Sequence, residues 1–351
     1  MKILYATLGA GNGHVSRARD IIPHLVKYGE VDIALSGTDA QVDLPCASAF
    51  QQHGLIFHLG KRGGLDYWKT VKELRISELI HDIATFPIRD YDVVINDFEP
   101  ITAYAALRAN VRATSLSHQA SFLSEKTPRP PRRDFAAEQI LVRYAPCPDK
   151  IGLHFEAYDS FIRTPVIRHE VRSLQATEEG HYTVYLPAYD DEYLFELLGQ
   201  ITNTRWEIFS KRSKTEYVQG SFRVRPISSD AYITSLAGCS GLLTGGGFEA
   251  PAEALFLGKK VLMVPQKGQY EQLCNAEAAR RLGVPVVLTI DKVSLPILAN
   301  WVYETKAFQV DYPDHTEEIV EQIMQKQRTF FPVHYRRTKD KNTVVSSNRR
   351  R

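Results

Sequence analysis

Short apolar runs alternate along this chain with longer stretches in which apolar residues recur at helical spacing. The first run covers residues 2–6 and leads into a glycine-rich loop, after which residues 14–28 carry apolar side chains at positions 15, 18, 21, 22 and 25. This spacing predicts a helix with one buried face. Short buried strands separated by such helices are typical of a parallel, doubly wound sheet.

The same alternation appears in both halves of the chain. We predict strands at residues 2–6, 31–35, 55–59, 93–95, 113–116 and 151–155, and in the second half at 182–186, 206–209, 222–224, 241–243, 260–264 and 286–288. We predict helices at 14–28, 68–85, 101–109, 135–143, 192–201, 230–237, 250–257 and 269–281. The pattern predicts an α/β fold with two Rossmann-like doubly wound domains that face each other across a cleft.

A segment of mixed charge and no clear periodicity separates the two halves at residues 164–180. We interpret it as a linker between a first domain at 1–163 and a second domain at 181–325. Residues 326–351 then form a C-terminal segment with a basic tail.

The composition agrees with two folded domains and excludes several classes of protein. A length of 351 residues fits two domains of roughly 100–200 residues each. Apolar residues make up 44% of the chain and charged residues 24%, which excludes a disordered or disulfide-stapled protein. No apolar stretch approaches the roughly 20 residues of a spanning helix, and the start of the chain does not resemble a signal peptide. We therefore expect a cytoplasmic protein.

The cysteines argue against a metal site, whereas the net charge argues neither for nor against nucleic acid. The four cysteines are far apart and form no CxxC pair, so we expect reduced thiols and no metal site: Cys46, Cys147, Cys239 and Cys274. The net charge of +2 gives no reason to expect nucleic acid as a partner. The basic residues concentrate in the tail at 335–351. A solvated tail is the plain interpretation, and a weak contact with anionic lipids, peripheral to the inner face of a membrane, is the alternative.

A glycine loop after the first predicted strand is suited to binding an anion. It contains Gly9, Gly11 and Gly13 and opens a helix, whose free backbone N–H groups attract phosphate. The GxGxG spacing differs from the dinucleotide fingerprint GxGxxG, and the second strand ends at Ser36 and Gly37 without an acidic residue. NAD binding is therefore disfavoured. A tight turn with only a structural role is the alternative for this loop.

A histidine directly after this loop is a candidate general base. His14 begins the helix, where the positive end of the helix dipole favours a neutral ring. Asp97 follows the fourth predicted strand, whose carboxyl end opens on the same side of a parallel sheet, so its carboxylate could orient His14. Glu99 is a second candidate for that role, and His118 would line the same crevice. A surface histidine at position 14 and a packed histidine at position 118 are the plain alternatives.

A second glycine turn is the more specific signal. An apolar strand runs into Gly245–Gly247 and Phe248, and a helix follows, which is again an anion site. Glu253 lies about two turns into that helix and could accept both hydroxyls of a ribose. Farther along, Glu271 and Gln272 precede another helix and could hold sugar hydroxyls. Surface charge is the alternative for a lone glutamate such as Glu253.

These motifs together resemble the GT-B glycosyltransferases, in particular the branch with the peptidoglycan N-acetylglucosaminyltransferase and the plant and macrolide UDP-glycosyltransferases. The resemblance covers roughly residues 1–325. It implies an acceptor-side first domain and a second domain that binds the nucleotide sugar. It assigns the donor diphosphate to the Gly245–Gly247 turn, the donor ribose to Glu253, and the donor sugar to Glu271 and Gln272.

The resemblance also implies roles in the first domain. His14 matches the histidine proposed as the base, and Asp97 matches its partner. His118 and Gln119 resemble a His-Glu-Gln stretch on the acceptor side, where we also place Gly11, Gly13 and Glu99. The chain departs from the plant motif, which has a histidine at Gly245 and Asn-Ser at Glu249 and Ala250. Lys211 or Arg212 would then have to compensate the diphosphate charge.

The resulting hypothesis is an inverting, metal-independent glycosyltransferase that moves a sugar from a nucleoside-diphosphate sugar, a UDP-sugar in our interpretation, to an acceptor hydroxyl. It needs no cofactor beyond this donor. The acceptor is a saccharide, a lipid-linked intermediate or a small molecule, held by loops at 61–68 and 117–133. The alternatives are a UDP-N-acetylglucosamine 2-epimerase, which would need further cleft carboxylates, and a non-catalytic protein that binds sugar nucleotides.

Overall fold

Two parallel sheets, one in each half of the chain, form the core of the molecule. The computed structural model describes residues 1–9, 12–37, 48–52 and 75–330. The first sheet is parallel throughout, in the order β3-β2-β1-β4-β5-β6-β7. Its strands are β1 (Lys2–Leu8), β2 (Glu30–Ser36), β3 (Phe50–Gln52), β4 (Val93–Asp97), β5 (Ala113–Ser117), β6 (Asp149–Leu153) and β7 (Ile162–Arg163).

The second sheet has the order β10-β11-β9-β8-β12-β13, in which only the edge strand β10 is antiparallel to its neighbour. Its strands are β8 (His181–Tyr185), β9 (Arg205–Ser210), β10 (Tyr217–Gln219), β11 (Phe222–Pro226), β12 (Gly241–Gly245) and β13 (Lys260–Val264). Both sheets have the doubly wound order of Rossmann-like domains, as the sequence predicts.

Helices connect the parallel strands and cover the sheets. In the first half and the linker they are α1 (Asn12–Val26), α2 (Ile76–Thr85), α3 (Pro100–Ala109), α4 (Phe135–Arg143) and α5 (His169–Arg172). In the second half they are α6 (Asp191–Leu198), α7 (Ser229–Gly238), α8 (Glu249–Phe256), α9 (Tyr270–Arg281), α10 (Leu295–Tyr303) and α11 (Thr316–Phe330). Within the described part of the chain, no helix is long and apolar enough to cross a bilayer.

The last helix returns to the first domain. Ile319 and Ile323 of α11 are buried in the same apolar cluster as Ile21 and Leu25 of α1. Burying side chains of this size contributes about 1.5–3 kcal/mol each. The packing of α11 on α1 therefore ties the end of the described chain to its beginning.

The observed elements differ from the predicted ones in a few places. Residues 286–288 form only an isolated bridge, between Val286 and Met263, and the preceding Pro285 has no N–H to extend the pairing. The strand predicted at 55–59 and the first part of the helix predicted at 68–85 lie outside the described residues. The strands β3, β7 and β10 and the helices α5, α10 and α11 were not predicted, because short strands and the mixed pattern after residue 290 give little periodicity.

Candidate active site

Strand pairing brings His14 and Asp97 together. β1 and β4 are parallel neighbours, with Thr7 opposite Asp97, so the loop that leaves β1 and the end of β4 meet at the carboxyl edge of the sheet. His14 Nδ1 lies 2.9 Å from Asp97 Oδ1. Arg17 Nη2 also lies 3.1 Å from Nδ1. An ionised carboxylate only accepts hydrogen bonds, so in a neutral ring its contact favours the proton on Nδ1 and the lone pair on Nε2. This is the tautomer that a general base requires.

Arg17 completes the arrangement around Asp97. Its Nε donates to Oδ2 of Asp97 at 3.0 Å, and its Nη2 donates to Oδ1 at 2.8 Å. Asp97 is fully buried; burial works to raise its pKa, but Arg17 and His14 outweigh burial and lower the pKa below its ordinary value. The carboxylate therefore stays ionised beside His14. Arg17 was not among the residues predicted from the sequence. Its position three residues after His14 places it on the same face of α1 and could have indicated it.

Asp97 and Glu99 point to different places because the backbone between them is strained. Phe98 has a φ of 58°, in the left-handed region that a non-glycine residue rarely adopts. Glu99 accepts hydrogen bonds from the first backbone N–H groups of α3 and is fully buried. It thus caps a helix, and the structure brings Asp97 rather than Glu99 to His14.

Gln119 of the first domain links His14 to the second domain. Gln119 Nε2 lies 3.5 Å from His14 Nε2 and donates to Glu271 Oε1 at 3.1 Å. Glu271 belongs to α9 of the second domain and its side chain is about one quarter exposed. Gln119 therefore connects the candidate base with one of the residues predicted to contact the donor sugar.

His118 is a buried contact between the domains. Its Nδ1 lies 2.8 Å from the carbonyl oxygen of Leu153, its Nε2 lies 2.8 Å from Asn275 Oδ1, and its ring stacks on Phe248 with centroids 4.1 Å apart. Burial lowers the pKa of His118, although Glu271 opposes this effect. This geometry agrees with the plain alternative for His118, a packed and hydrogen-bonded histidine.

The second glycine turn is held by side chains of α9. Gln272 Oε1 accepts from Gly246 N at 3.1 Å and Asn275 Nδ2 donates to the Gly246 carbonyl oxygen at 3.0 Å. A Cβ at Gly246 would lie 2.6 Å from Gln272 Cβ, whereas a Cβ at Gly247 would meet nothing within 4 Å. Gln272 thus positions the turn with its oxygen. Gly247 leaves open space at the beginning of α8.

Glu253 forms an ion pair that was not predicted from the sequence. Arg168, in the linker, donates from Nε to Oε1 at 2.5 Å and from Nη2 to Oε2 at 2.7 Å. Both side chains are buried. Such a bidentate pair is among the strongest charge-assisted contacts in proteins, and it occupies one lone pair on each carboxylate oxygen of Glu253.

The remaining predicted residues lie in different places. Gly13 is the second residue of α1 and is packed against Glu249, whereas Gly11 and the loop at 61–68 lie outside the described residues. Lys211 and Arg212 follow β9, which is two strands away from β12. Arg212 forms an ion pair with Asp190, with 2.8 Å between Nε and Oδ1, and its Nη1 donates to the carbonyl oxygen of Tyr189 at 2.7 Å. It is therefore engaged at the beginning of α6 rather than at the glycine turn.

The part of the chain that the structure describes contains no group of three or more His, Cys, Asp or Glu side chains placed to hold a metal ion. The polar groups of the cleft pair with each other instead. They offer a base, a carboxylate that orients it, a buried guanidinium and a glycine turn at a helix N-terminus. This set suits the transfer of a group that leaves with an anion.

Comparisons with known proteins agree with this geometry. The family model for glycosyl transferase family 1 matches residues 1–305. No curated protein matches the chain. Among solved structures, the chain is similar to a UDP-glucosyltransferase from Polygonum tinctorium capable of glucosylating indoxyl, at 15% identity and a TM-score of 0.57, with 94% of this chain and 93% of that one covered.

Two bacterial structures are similar in the same way. MurG from Acinetobacter baumannii is 14% identical with a TM-score of 0.53, covering 92% of this chain and 99% of that one. The glycosyltransferase SnogD from Streptomyces nogalater is 12% identical with a TM-score of 0.52, covering 93% and 99%. At these identities the similarity shows the shared GT-B fold, which the motifs implied. With the family match over most of its length, the chain belongs to glycosyl transferase family 1 and is a glycosyltransferase.

Proposed function

We propose that this glycosyltransferase is an inverting, metal-independent enzyme that transfers a sugar from a UDP-sugar to an acceptor hydroxyl. The observation that carries the proposal is the His14–Asp97 pair, with 2.9 Å between Nδ1 and Oδ1. The pair lies at the carboxyl edge of the first sheet, and Arg17, which binds Asp97, also binds Glu249 at the beginning of α8 in the second domain. The carboxyl edge is where open α/β sheets bind their ligands.

The proposed reaction is a direct displacement at the anomeric carbon. His14 Nε2 takes the proton of the acceptor hydroxyl while the acceptor oxygen bonds to the anomeric carbon. The bond from that carbon to the diphosphate oxygen breaks, and its electron pair leaves with the nucleoside diphosphate. Asp97 stabilises the positive charge that develops on His14. A single displacement inverts the configuration of the anomeric carbon.

The donor site we propose lies at the beginning of α8. The Gly246 N–H already donates to Gln272, so the backbone N–H groups that follow it and the positive end of the helix dipole would favour a diphosphate there. Glu271, whose side chain is partly exposed, would contact the donor sugar. Glu253 would bind the ribose alongside Arg168, since each of its oxygens keeps a second lone pair. The similar Polygonum tinctorium enzyme is described as a UDP-glucosyltransferase, which favours uridine as the base.

Metal independence is proposed because protein groups are placed to stabilise the leaving diphosphate. The chain has one Asp-x-Asp triplet, Asp90-Tyr91-Asp92, and it precedes β4 at the amino edge of the sheet, opposite to His14. Activity should therefore persist after treatment with EDTA. A loss of activity that Mg²⁺ or Mn²⁺ restores would contradict this part of the proposal.

Donor identity comes first in the test. Calorimetric titration with UDP, GDP, TDP and NAD, without added metal, should show micromolar binding of UDP alone. Binding of another diphosphate would correct the base, and binding of none would contradict the donor site. Transfer is then measured with the matching sugar nucleotide as release of nucleoside diphosphate, and NMR of the product determines the anomeric configuration.

His14→Ala tests the base. We expect turnover to fall by about 10²–10⁴-fold, with UDP binding retained because the histidine is not part of the diphosphate turn. His81→Ala is the matched control, since His81 is exposed on α2 and its removal should leave turnover unchanged. Unchanged turnover in His14→Ala would show that another group is the base.

We also propose a cytoplasmic protein whose acceptor is a saccharide, a lipid-linked intermediate or a small molecule. The basic tail at 335–351 is the segment proposed to contact anionic lipid; it lies outside the described residues. Cosedimentation with phosphatidylserine vesicles should fall when the tail is removed. Equal cosedimentation with and without the tail would contradict the contact.

A further inference from the structure

The guanidinium of Arg17 contacts carboxylates of both domains. Nε and Nη2 bind Asp97 in the first domain, while Nη1 binds Glu249 in the second domain. The Arg17 side chain is 2% exposed, and that of Glu249 is 25% exposed. Nε and Nη2 therefore hold Asp97, the carboxylate that orients the proposed base. Nη1 points toward the more exposed carboxylate of Glu249.

The carboxylate of Glu249 lies at a place suited to an anion. Glu249 is the first residue of α8 and is separated from the Gly245–Gly247 turn by Phe248 alone. Its Oε2 also lies against the beginning of α1, where a Cβ added at Gly13 would come within 2.5 Å of it. The beginnings of two helices and a guanidinium thus converge on one carboxylate. Each of these groups favours negative charge.

We propose that Glu249 is an internal substitute for the donor diphosphate, and that Arg17 is the cation that binds the diphosphate once the donor displaces Glu249. The inference rests on the proposed donor site. A diphosphate bound between the Gly245–Gly247 turn and the beginning of α8 would meet the carboxylate of Glu249, the first residue of that helix. Two anions at this place repel each other, so the donor must break the ion pair between Arg17 and Glu249 and take its place.

The proposal supplies the cation that the glycine turn lacks. Arg212 is held by Asp190 and the Tyr189 carbonyl oxygen two strands away, whereas Arg17 already binds Glu249, the first residue of the helix that follows the turn. Arginine binds phosphate through parallel N–H groups. Arg17 would then contact both the leaving diphosphate and Asp97, so that donor binding and the orientation of His14 depend on one side chain.

Glu249→Gln is the test, because it removes the competing charge and keeps the size of the side chain. The probes are UDP, inorganic pyrophosphate and uridine, titrated calorimetrically into the full-length protein. We expect UDP and pyrophosphate to bind about tenfold more tightly than to wild type, and uridine to bind equally. Glu277→Gln is the matched control: Glu277 is similarly exposed, pairs with Arg280 and Arg281 on α9, and should leave all three affinities unchanged.

Arg17→Lys gives the opposite expectation. Lysine keeps the charge but cannot bind Asp97 and a phosphate at the same time, so UDP and pyrophosphate should bind at least about tenfold more weakly. Circular dichroism establishes whether this variant folds; if it does not, Glu249→Gln decides alone. Unchanged or weaker UDP and pyrophosphate binding by Glu249→Gln would overturn the inference. Wild type that binds none of the nucleoside diphosphates would instead overturn the proposed donor site.

Discussion

Arg168 and Glu253 form a buried ion pair that we expect to control the stability of the second domain. Arg168→Met removes the guanidinium and keeps an apolar side chain of similar length. The carboxylate of Glu253, which is 3% exposed, would then be buried without its charged partner.

The size of the effect follows from the geometry. The pair is bidentate, with distances of 2.5 and 2.7 Å, and both side chains are buried. Removing one partner of such a pair costs about 3–5 kcal/mol, because the other charge loses its compensation. At about 2–4 °C per kcal/mol for a domain of this size, the transition temperature of the second domain should fall by roughly 6–20 °C.

Differential scanning calorimetry at neutral pH measures this change. The matched control is Arg163→Met. The Arg163 side chain is 31% exposed, and its Nη2 lies 3.9 Å from Glu318 Oε1. Its removal should therefore lower the free energy of unfolding by at most about 1 kcal/mol. The double variant Arg168→Met/Glu253→Leu should regain most of the lost stability, since apolar replacements of a buried pair are often neutral or stabilising.

Two results would refute this reasoning. If Arg168→Met lowers the free energy of unfolding by less than about 1 kcal/mol, the pair contributes no more than an exposed ion pair does. A double variant as unstable as the sum of the two single variants would show that the two side chains do not depend on each other. The first result would also imply that Glu253 is easily released from Arg168.

Asp97→Asn should lower kcat by about 10²–10⁴-fold with little change in donor affinity, because an amide no longer enforces the required tautomer of His14; steady-state kinetics with saturating donor measures this. Burial raises the pKa of Asp20 to about 6, so its ionisation reduces stability as the pH rises from about 4 to 6. Asp20→Asn should therefore be more stable than wild type by about 1–2 kcal/mol at pH 8 but not at pH 4, in urea unfolding. Gly246→Ala should lower the free energy of unfolding by about 1–3 kcal/mol in urea unfolding, because the added methyl group conflicts with α9. Gly247→Ala should leave it unchanged, since a Cβ there has open space around it.

The sequence determined the elements that depend on local pattern. Buried strands such as β1, β4, β8 and β12 are apolar runs bounded by turn residues, so periodicity and glycine positions identify them without knowledge of their neighbours. The pairing of His14 and Asp97 was also predictable. It requires only that two strands of one parallel sheet end at the same edge.

The partners of the charged residues were decided by the tertiary structure. Glu253 was predicted to bind a ribose, and the structure gives it a further partner, Arg168, 85 positions earlier in the chain. Arg17 reaches Glu249, which is 232 positions later. Local pattern shows that a carboxylate is present, but many cations in the chain could pair with it. Only the packing of the two domains selects one, because an ion pair is strong when both groups are desolvated and in contact.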